Sequence, residues 1–353
     1  MAAGKMAVFS CKPYDSEYFL RTAEELKMDF NFSFFDLLLE ESTVKLAEGF
    51  DAVCVFVNDK VGPSVISKLA SYGVKLIALR CAGFNNVDLE AAAKCGVTVA
   101  RVPAYSPHAV AEHAVTLMLS LNRRIPQAWS KTRSGNFSLQ GQMGFDMIGK
   151  RVGIIGTGLI GSIVARILKR GFECDVVAHD VYKNPKLQAP EPEGLGIPYV
   201  ELDELFATCD IISLHAPLLD STHHIINASS IKKMKPGVMI VNTSRGGLIH
   251  TQSLIDGLKD KHVGHAGLDV YCKEGPYMFQ DLSLEGIDDD TFARLMTFPN
   301  VIVTAHQAFF TKEAITEISR TTLRNVAGAV KGSGPPKQGA LETVLTPTPA
   351  ARL

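Results

Sequence analysis

Long apolar runs are missing from this chain. No stretch approaches the roughly 20 consecutive apolar residues that cross a bilayer, which excludes a membrane-spanning helix. An excess of charge is missing too: Lys and Arg number 36 against 37 Asp and Glu, for a formal net charge of −1. With both signs interspersed, there is no basic face for nucleic acid or for a membrane surface. Paired cysteine spacing is also absent. Cys11, Cys54, Cys81, Cys95, Cys174, Cys209 and Cys272 form an odd set without C-x-x-C. They read as reduced, mostly buried thiols of an intracellular protein, not as a disulfide framework or a zinc site. The opening residues lack the charged-then-apolar pattern of a secretory signal, so a cytoplasmic location is expected. Against this stands only the C-terminal Ala351-Arg352-Leu353, which has the small-basic-Leu form of a weak peroxisomal address. Internal repeats are absent as well.

What is present is the composition of a globular protein, with 46% hydrophobic and 21% charged residues. At 353 residues the chain exceeds one ordinary core, and two domains are expected. The most informative segment is RVGIIGTGLIGSIVARILKRGFECDVVAHD, from Arg151 to Asp180. An apolar strand leads into Gly156, Gly158 and Gly161, a helical stretch follows, and a second apolar strand stops at Asp180. This is the dinucleotide-binding fingerprint in its full context. Gly156 permits the tight turn, Gly158 lets the backbone approach a pyrophosphate, and Gly161 lets the helix pack on the sheet. The helix N-terminus offers free N–H groups to phosphates. Asp180 is placed to accept a ribose diol and would repel a 2′-phosphate, so NAD is expected over NADP.

Upstream, short apolar strands (6–10, 30–34, 52–58, 75–80, 98–102) alternate with helices at 63–72 and 88–94, the latter stopped by Gly96. This predicts a small doubly wound parallel-sheet domain. Pro103 and Pro107 mark a crossing point, followed by an apolar helix over 108–124 that is expected between domains or subunits. His108 and His113 on it read as packing or hydrogen-bonded histidines. Further strands are expected near 210–214, 238–242, 265–269 and 301–304. The acidic segment 273–294 reads as a surface excursion, the chain from Thr311 to about Lys331 as helix, and the Pro-, Gly- and Thr-rich tail from Gly332 as disordered.

Ligands of open α/β sheets bind beyond the carboxyl ends of the strands. Those ends read Asp180, His215-Ala216-Pro217, Thr243-Ser244-Arg245, Asp269 and His306, polar or titratable throughout. Reducing a ketone needs a proton donor at oxygen, for which His306 is suited. A 2-oxo acid also carries a carboxylate, which Arg245 could hold with a bidentate fork. Glu274 could pair with His306 and favour its protonated form. On spacing alone, a turn-capping arginine, a surface glutamate and a core histidine explain these residues equally well.

At NTSRGGLI (242–249), GLDVYCKEG (267–275) and TAHQAFFT (304–311), and upstream at LRCAGFNNVDL (79–89) and VPAYSPHAVAEHAV (102–115), the chain resembles the D-2-hydroxyacid dehydrogenases. Within that family it looks most like the fermentative D-lactate dehydrogenases. The resemblance covers roughly residues 5 to 332. It implies an NAD-binding Rossmann domain (102–307) inserted into a flavodoxin-like substrate-binding domain (1–101 and 308–332), with a tail at 333–353. It implies that Arg245 binds the substrate carboxylate, that His306 is acid in pyruvate reduction and base in lactate oxidation, and that Glu274 partners His306. The substrate would also meet the backbone N–H groups of Ala82 and Gly83, with Tyr105, and a cleft between the domains would close on it. The implied cofactor set is Gly156, Gly158, Leu159, Ile160, Gly161, Asp180, Ala216, Pro217, Thr222, Thr243, Ser244 and Asp269. No metal is expected.

Phe56 stands where some relatives carry a tyrosine, and Phe309 and Phe310 would wall the substrate side chain. An aromatic wall favours pyruvate, although a one-carbon difference is worth only about 1–3 kcal/mol. Two other readings stand beside D-lactate dehydrogenase. One is a related 2-oxo acid reductase acting on hydroxypyruvate or phenylpyruvate. The other is an NADH-sensing corepressor-like interaction protein on the same fold. A phosphoglycerate enzyme is disfavoured because no added regulatory domain is seen, and a formate dehydrogenase because Glu274 is present. A homodimer or dimer of dimers is expected. Cys272, two residues before Glu274, reads as a packed inert thiol, with a redox control point as the alternative.

Overall fold

The computed structural model describes residues 4–330 and 343–345. They form two compact units: the described residues up to Ser106 together with those from Phe310 onward, and Pro107–Phe309. The first unit contains β1 (Gly4–Val8), β2 (Phe30–Phe34), β3 (Ala52–Val55), β4 (Leu76–Leu79) and β5 (Thr98–Ala100). They pair in the order β2-β1-β3-β4-β5, parallel throughout. This is the flavodoxin-like order. β3 and β4, AVCV and LIAL, are buried along their whole length, as central parallel strands covered on both faces are. The helix Lys312–Val330 lies against the helix Pro13–Glu25 and against β1, β3 and β4, so the C-terminal part of the chain completes this unit.

The second unit contains β6 (Arg151–Ile155), β7 (Asp175–His179), β8 (Ile211–Leu214), β9 (Val238–Asn242), β10 (Val263–Leu268) and β11 (Val301–Val303). Their order is β11-β10-β9-β8-β6-β7, again all parallel. β6 sits between β7 and β8, so the winding direction reverses there, which defines the topological switch point. Ile155 lies in register with His179 on one side and Leu214 on the other, so the three strands end level. Beyond β7 the segment around Tyr199 adds one parallel rung: Ala178 N–H donates to Pro198 O and Val200 N–H to Ala178 O, both at 2.9 Å.

The units begin and end later than the expected 102 and 307. Arg101 N–H donates to Thr343 O and Val102 N–H to Cys81 O, which keeps those residues in the first unit. At the other boundary the backbone N–H groups of Gln307 and Ala308 donate to Asp269 of the second unit. The helix expected between domains or subunits, Pro107–Asn122, instead packs inside the second unit, against the helix Leu159–Gly171 and strands β9 and β10. Its small partners allow this: a Cβ on Gly267 of β10 would stand 3.0 Å from Leu121 and 3.2 Å from Leu117. The segment 273–294 is more than an excursion. Met278 and Phe292 are buried with Tyr271 in a small core of their own, and a helix forms at Asp290–Met296. Apolar residues too sparse for a period are enough to make this local cluster. Within the tail expected to be disordered, Thr343–Leu345 pairs antiparallel with β5, Leu345 N–H donating to Val99 O. The rest of that tail, including Ala351-Arg352-Leu353, lies outside the described residues.

All seven cysteines are free, with Cys95 and Cys272 exposed and the other five buried. Cys272 is therefore not the packed thiol its context implied. Burial pushes the thiols of Cys11, Cys174 and Cys209 up to about 11 and that of Cys54 up to about 12, which makes them inert. Among the described residues no helix is long and apolar enough to cross a membrane.

Candidate active site

The turn after β6 is built by steric exclusion. Gly156 has φ +93°, and a Cβ on it would stand 2.5 Å from Ala216 N; one on Gly161 would stand 1.9 Å from Gly156 O. A Cβ on Gly158 would meet nothing within 4 Å. The chain is therefore closed on the protein side of this turn and open on the other, where the helix Leu159–Gly171 begins with its N–H groups available to phosphate. Asp180 follows β7. Its Oδ2 accepts from Thr157 N–H (2.6 Å) and Thr157 Oγ1 (3.0 Å), and its Oδ1 from Tyr182 N–H (3.1 Å). Burial pushes this carboxyl up, but these bonds outweigh it and hold it below its ordinary range, so the group is an anion.

Around this turn, large apolar side chains are left open: Leu159, Val181, Tyr182 and Leu219. Across the sheet end, the Thr243 hydroxyl is buried without a partner among the described residues. A buried orphan donor of this kind costs roughly 1–3 kcal/mol unless a ligand meets it. The open glycine face, the Asp180 carboxylate, the exposed apolar rim and the orphan hydroxyl together fit a dinucleotide lying along the carboxyl edge of the sheet. Pro217 and Thr222 close a tight loop there, the Thr222 hydroxyl donating to Pro217 O at 2.6 Å.

Arg245 is set by the last residue of β9. Asn242 is fully buried; its Oδ1 accepts Ser244 N–H (3.0 Å) and its Nδ2 donates to Arg245 O (2.8 Å). Ser244 Oγ donates to Ala216 O at 2.7 Å, tying the loops after β8 and β9. The Arg245 guanidinium is itself spent only lightly, Nη1 donating to Ser244 O at 2.7 Å. Next in sequence, a Cβ on Gly246 would lie 2.1 Å from the carbonyl carbon of Tyr271 and 2.3 Å from Cys272 N. Only glycine lets the Arg245 loop press on the loop that carries Glu274.

Glu274 and His306 meet directly. Glu274 Oε1 is 2.8 Å from His306 Nδ1, while Oε2 accepts Tyr271 N–H at 3.1 Å. With Nδ1 engaged by the carboxylate, Nε2 is the ring nitrogen left for proton transfer. His306 itself has φ +51°. A non-glycine residue in that region stores on the order of 1–3 kcal/mol and persists only where its surroundings over-determine it. Asp269 does so. It is fully buried; Oδ1 accepts Thr304 Oγ1 (2.6 Å) and Gln307 N–H (2.9 Å), Oδ2 accepts Ala308 N–H (2.9 Å), and its carbonyl accepts His306 N–H (2.8 Å). Burial raises Asp269, and these donors with His113 outweigh it and hold the carboxyl low. His113 bonds Thr304 at 3.0 Å. The Asp269 oxygens thus brace the turn that carries His306.

Phe309 is nearly buried and meets Phe279 edge-on at 6.5 Å; the Phe279 ring lies 6.0 Å from that of His306. Phe279 also has a left-handed backbone, φ +67°. Phe310, expected beside Phe309, belongs to the first unit and packs edge-on against Tyr14 at 4.7 Å. In the first unit, Ala82 and Gly83 follow β4 in a braced loop: Arg101 Nη1 donates to Ala82 O (2.9 Å) and the Cys81 thiol to Gly83 O (3.2 Å). Tyr105 lies near the end of this unit's first segment and is partly buried. Arg245, Glu274, His306 and the residues expected to hold the cofactor thus all lie in the second unit, while Ala82, Gly83 and Tyr105 belong to the first. Sequence reasoning missed Asn242, Thr157, Tyr199, Thr304 and Phe279. For Asn242 a signal existed, since a polar residue ending a buried strand must bond its own turn.

A parallel-sheet unit with a dinucleotide turn, a carboxylate-backed histidine and a lightly engaged arginine defines an NAD-dependent oxidoreductase. Residues 115–308 match the family described as D-isomer specific 2-hydroxyacid dehydrogenase, NAD binding domain. Among similar proteins, a 2-hydroxyacid dehydrogenase homolog of Haemophilus influenzae is 52% identical over 322 residues, 91% of this chain and 95% of its own. The D-lactate dehydrogenase of Escherichia coli is 50% identical over 334 residues, covering 95% of this chain and 99% of its own. A solved structure described as the pyruvate reductase of Chlamydomonas reinhardtii superposes with a TM-score of 0.87 at 45% identity, covering 94% of this chain and 98% of that one. The chain belongs to the D-isomer specific 2-hydroxyacid dehydrogenase family.

Proposed function

We propose that this protein is an NADH-dependent D-lactate dehydrogenase working mainly as a pyruvate reductase. The observation that carries the reading is the 2.8 Å contact of Glu274 with His306, next to an Arg245 loop pressed on the Glu274 loop. Arg245 holds the substrate carboxylate through its guanidinium fork, which fixes the neighbouring carbonyl in place. His306 Nε2 donates the proton to the carbonyl oxygen as it becomes an alkoxide, and takes it back in lactate oxidation. Glu274 orients the imidazole through its 2.8 Å contact with Nδ1. When bound, the reduced nicotinamide supplies the hydride that the carbonyl carbon accepts. Asp180 takes the adenosine ribose, and the N-terminus of the helix Leu159–Gly171 takes the pyrophosphate. Ala82, Gly83 and Tyr105 are proposed as further substrate contacts, and Phe309 as the wall of the side-chain pocket. The names of the Escherichia coli and Chlamydomonas reinhardtii relatives support pyruvate and D-lactate as the substrate pair.

The test is a panel of 2-oxo acids with NADH, with chiral analysis of the product. Pyruvate is expected to give the highest kcat/KM and D-lactate as its product. A preference for hydroxypyruvate or phenylpyruvate would move the enzyme within its family. No turnover of any 2-oxo acid would favour an NADH-sensing interaction protein.

A homodimer, or a dimer of dimers, belongs to the same reading. Ile125, Trp129, Phe137, Leu139, Met143 and Ile148 are all more than half exposed within one short segment, with Met143 at 90%. Apolar groups so concentrated are usually covered by a partner, and a second copy of this chain is the partner proposed. Sedimentation equilibrium tests it; a monomer at micromolar concentration would contradict it. A cytoplasmic location accords with the seven free cysteines.

A further inference from the structure

We propose that Tyr199 is a positioning residue for cofactor choice, acting through Thr157 to fix the Asp180 carboxylate in the orientation that accepts a ribose diol. The inference rests on the NAD reading above and adds to it a residue outside the fingerprint. Four groups form a chain in which each hydroxyl accepts one bond and donates the next. The backbone N–H of Asn184 donates to the Tyr199 hydroxyl (2.8 Å), which donates to Thr157 Oγ1 (2.9 Å), which donates to Asp180 Oδ2 (3.0 Å). Thr157 N–H donates to the same Oδ2 at 2.6 Å. That oxygen thus takes two donors from the glycine turn, whereas Oδ1 takes Tyr182 N–H at 3.1 Å and keeps acceptor capacity for a ribose hydroxyl.

The direction of this chain is not optional. An ionised carboxylate can only accept, so the Thr157 hydroxyl gives its proton to Asp180 and must take the phenol's proton in turn. The Thr157 side chain is almost fully buried, which removes water as a substitute. Tyr199 is itself held by the fold. It sits in the extra rung beside β7, bridged to Ala178 two residues before Asp180, and its ring packs with the core on that face of the sheet. Asn184 closes the far side, its Nδ2 donating to Ser162 Oγ (3.0 Å), which donates to Thr157 O (2.7 Å). A carboxylate locked at one oxygen discriminates. A diol can bond Oδ1, whereas a 2′-phosphate meets a fixed negative charge that cannot swing away.

Tyr199→Phe removes one hydroxyl and keeps the ring, so it tests the relay with little disturbance of packing. The readout is the dissociation constants of NADH and NADPH, titrated by nucleotide fluorescence on the full chain without substrate. Loss of one bond in the relay is expected to weaken NADH about five-fold while leaving NADPH unchanged or tighter, so the preference for NADH falls by at least that factor. Thr157→Val should reproduce the loss, and Thr157→Ser, which keeps a hydroxyl, should retain the wild-type preference. A merely structural tyrosine would weaken both nucleotides together and leave their ratio unchanged, which would overturn the proposal. So would a Thr157→Val protein with wild-type preference. If wild-type protein bound neither nucleotide, the cofactor reading would fall and the proposal with it; wild-type binding with an unmoved ratio overturns the proposal alone.

Discussion

Two arginines sit just beyond strand ends in sheets of the same kind, and they have opposite fates. Arg80, after β4 in the first unit, is 2% exposed; it donates to the carbonyls of Phe9 (2.9 Å) and Ser10 (2.6 Å), pairs with Asp15, and lies over the Phe56 ring at 4.6 Å. Beside it Asp59 is just as fully engaged, taking Ser10 Oγ, Leu39 N–H and Phe56 N–H. Arg245, after β9 in the second unit, is partly exposed and donates to Ser244 O at 2.7 Å. Polar residues at the carboxyl ends of parallel strands are thus not a sufficient sign of a site. What separates the two arginines is whether their donors are consumed by the fold or held in reserve.

This contrast can be broken most sharply by the same substitution at both places. Arg245→Met is expected to lower kcat/KM for pyruvate about 10³-fold, roughly 4 kcal/mol of transition-state stabilisation, because the carboxylate loses its fork. Its unfolding free energy should stay within about 0.5 kcal/mol of wild type, as for a residue outside any buried network. Arg80→Met should do the reverse, costing about 3–5 kcal/mol of stability by leaving Asp15 buried and unpaired. Urea melts and steady-state kinetics of the pair decide it, and equal stability losses would erase the distinction. Next in size, Glu274→Gln is expected to lower kcat about 10–10²-fold, since the imidazolium loses its charged partner. NADH affinity should be unchanged, and a variant as active as wild type would remove Glu274 from the machinery.

His215, at the end of β8 in the second unit, is intermediate between the two arginines. It bonds Ser213 at 2.8 Å, and burial pulls it down from its ordinary value to about 4. Between that value and the unfolded chain's value near 6.5 only the unfolded chain binds the proton. Stability is therefore full above pH 6.5 and falls as the pH drops toward 4, by about 2 kcal/mol after allowance for the ring's partial exposure. His215→Asn should flatten that fall in urea melts at pH 7.5 and 4.5. An identical fall in both proteins would show that other groups control it.

The reach of the sequence follows the same line. The glycine turn and Asp180 were legible because strand, turn, helix and strand lie in one continuous stretch. Arg245, Glu274 and His306 were legible as a chemical set, but their spacing left structural readings open until family resemblance was added. What stayed hidden depends on partners distant in sequence. Asp269 meets Thr304 across 35 residues and Thr157 meets Tyr199 across 42, so neither pair has a local pattern. The small core of Tyr271, Met278 and Phe292 escaped notice because three scattered side chains make no period. The helix Pro107–Asn122 was legible as buried but not as buried within its own unit, because apolarity names no partner.

Proton transfer by His306 is the step on which the proposed reaction most depends. The direct measurement is kcat for pyruvate reduction by His306→Ala at saturating NADH, alongside NADH affinity by fluorescence titration. A fall in kcat of about 10³–10⁴-fold is expected, with NADH still bound as in wild type. A kcat within a few-fold of wild type would contradict it.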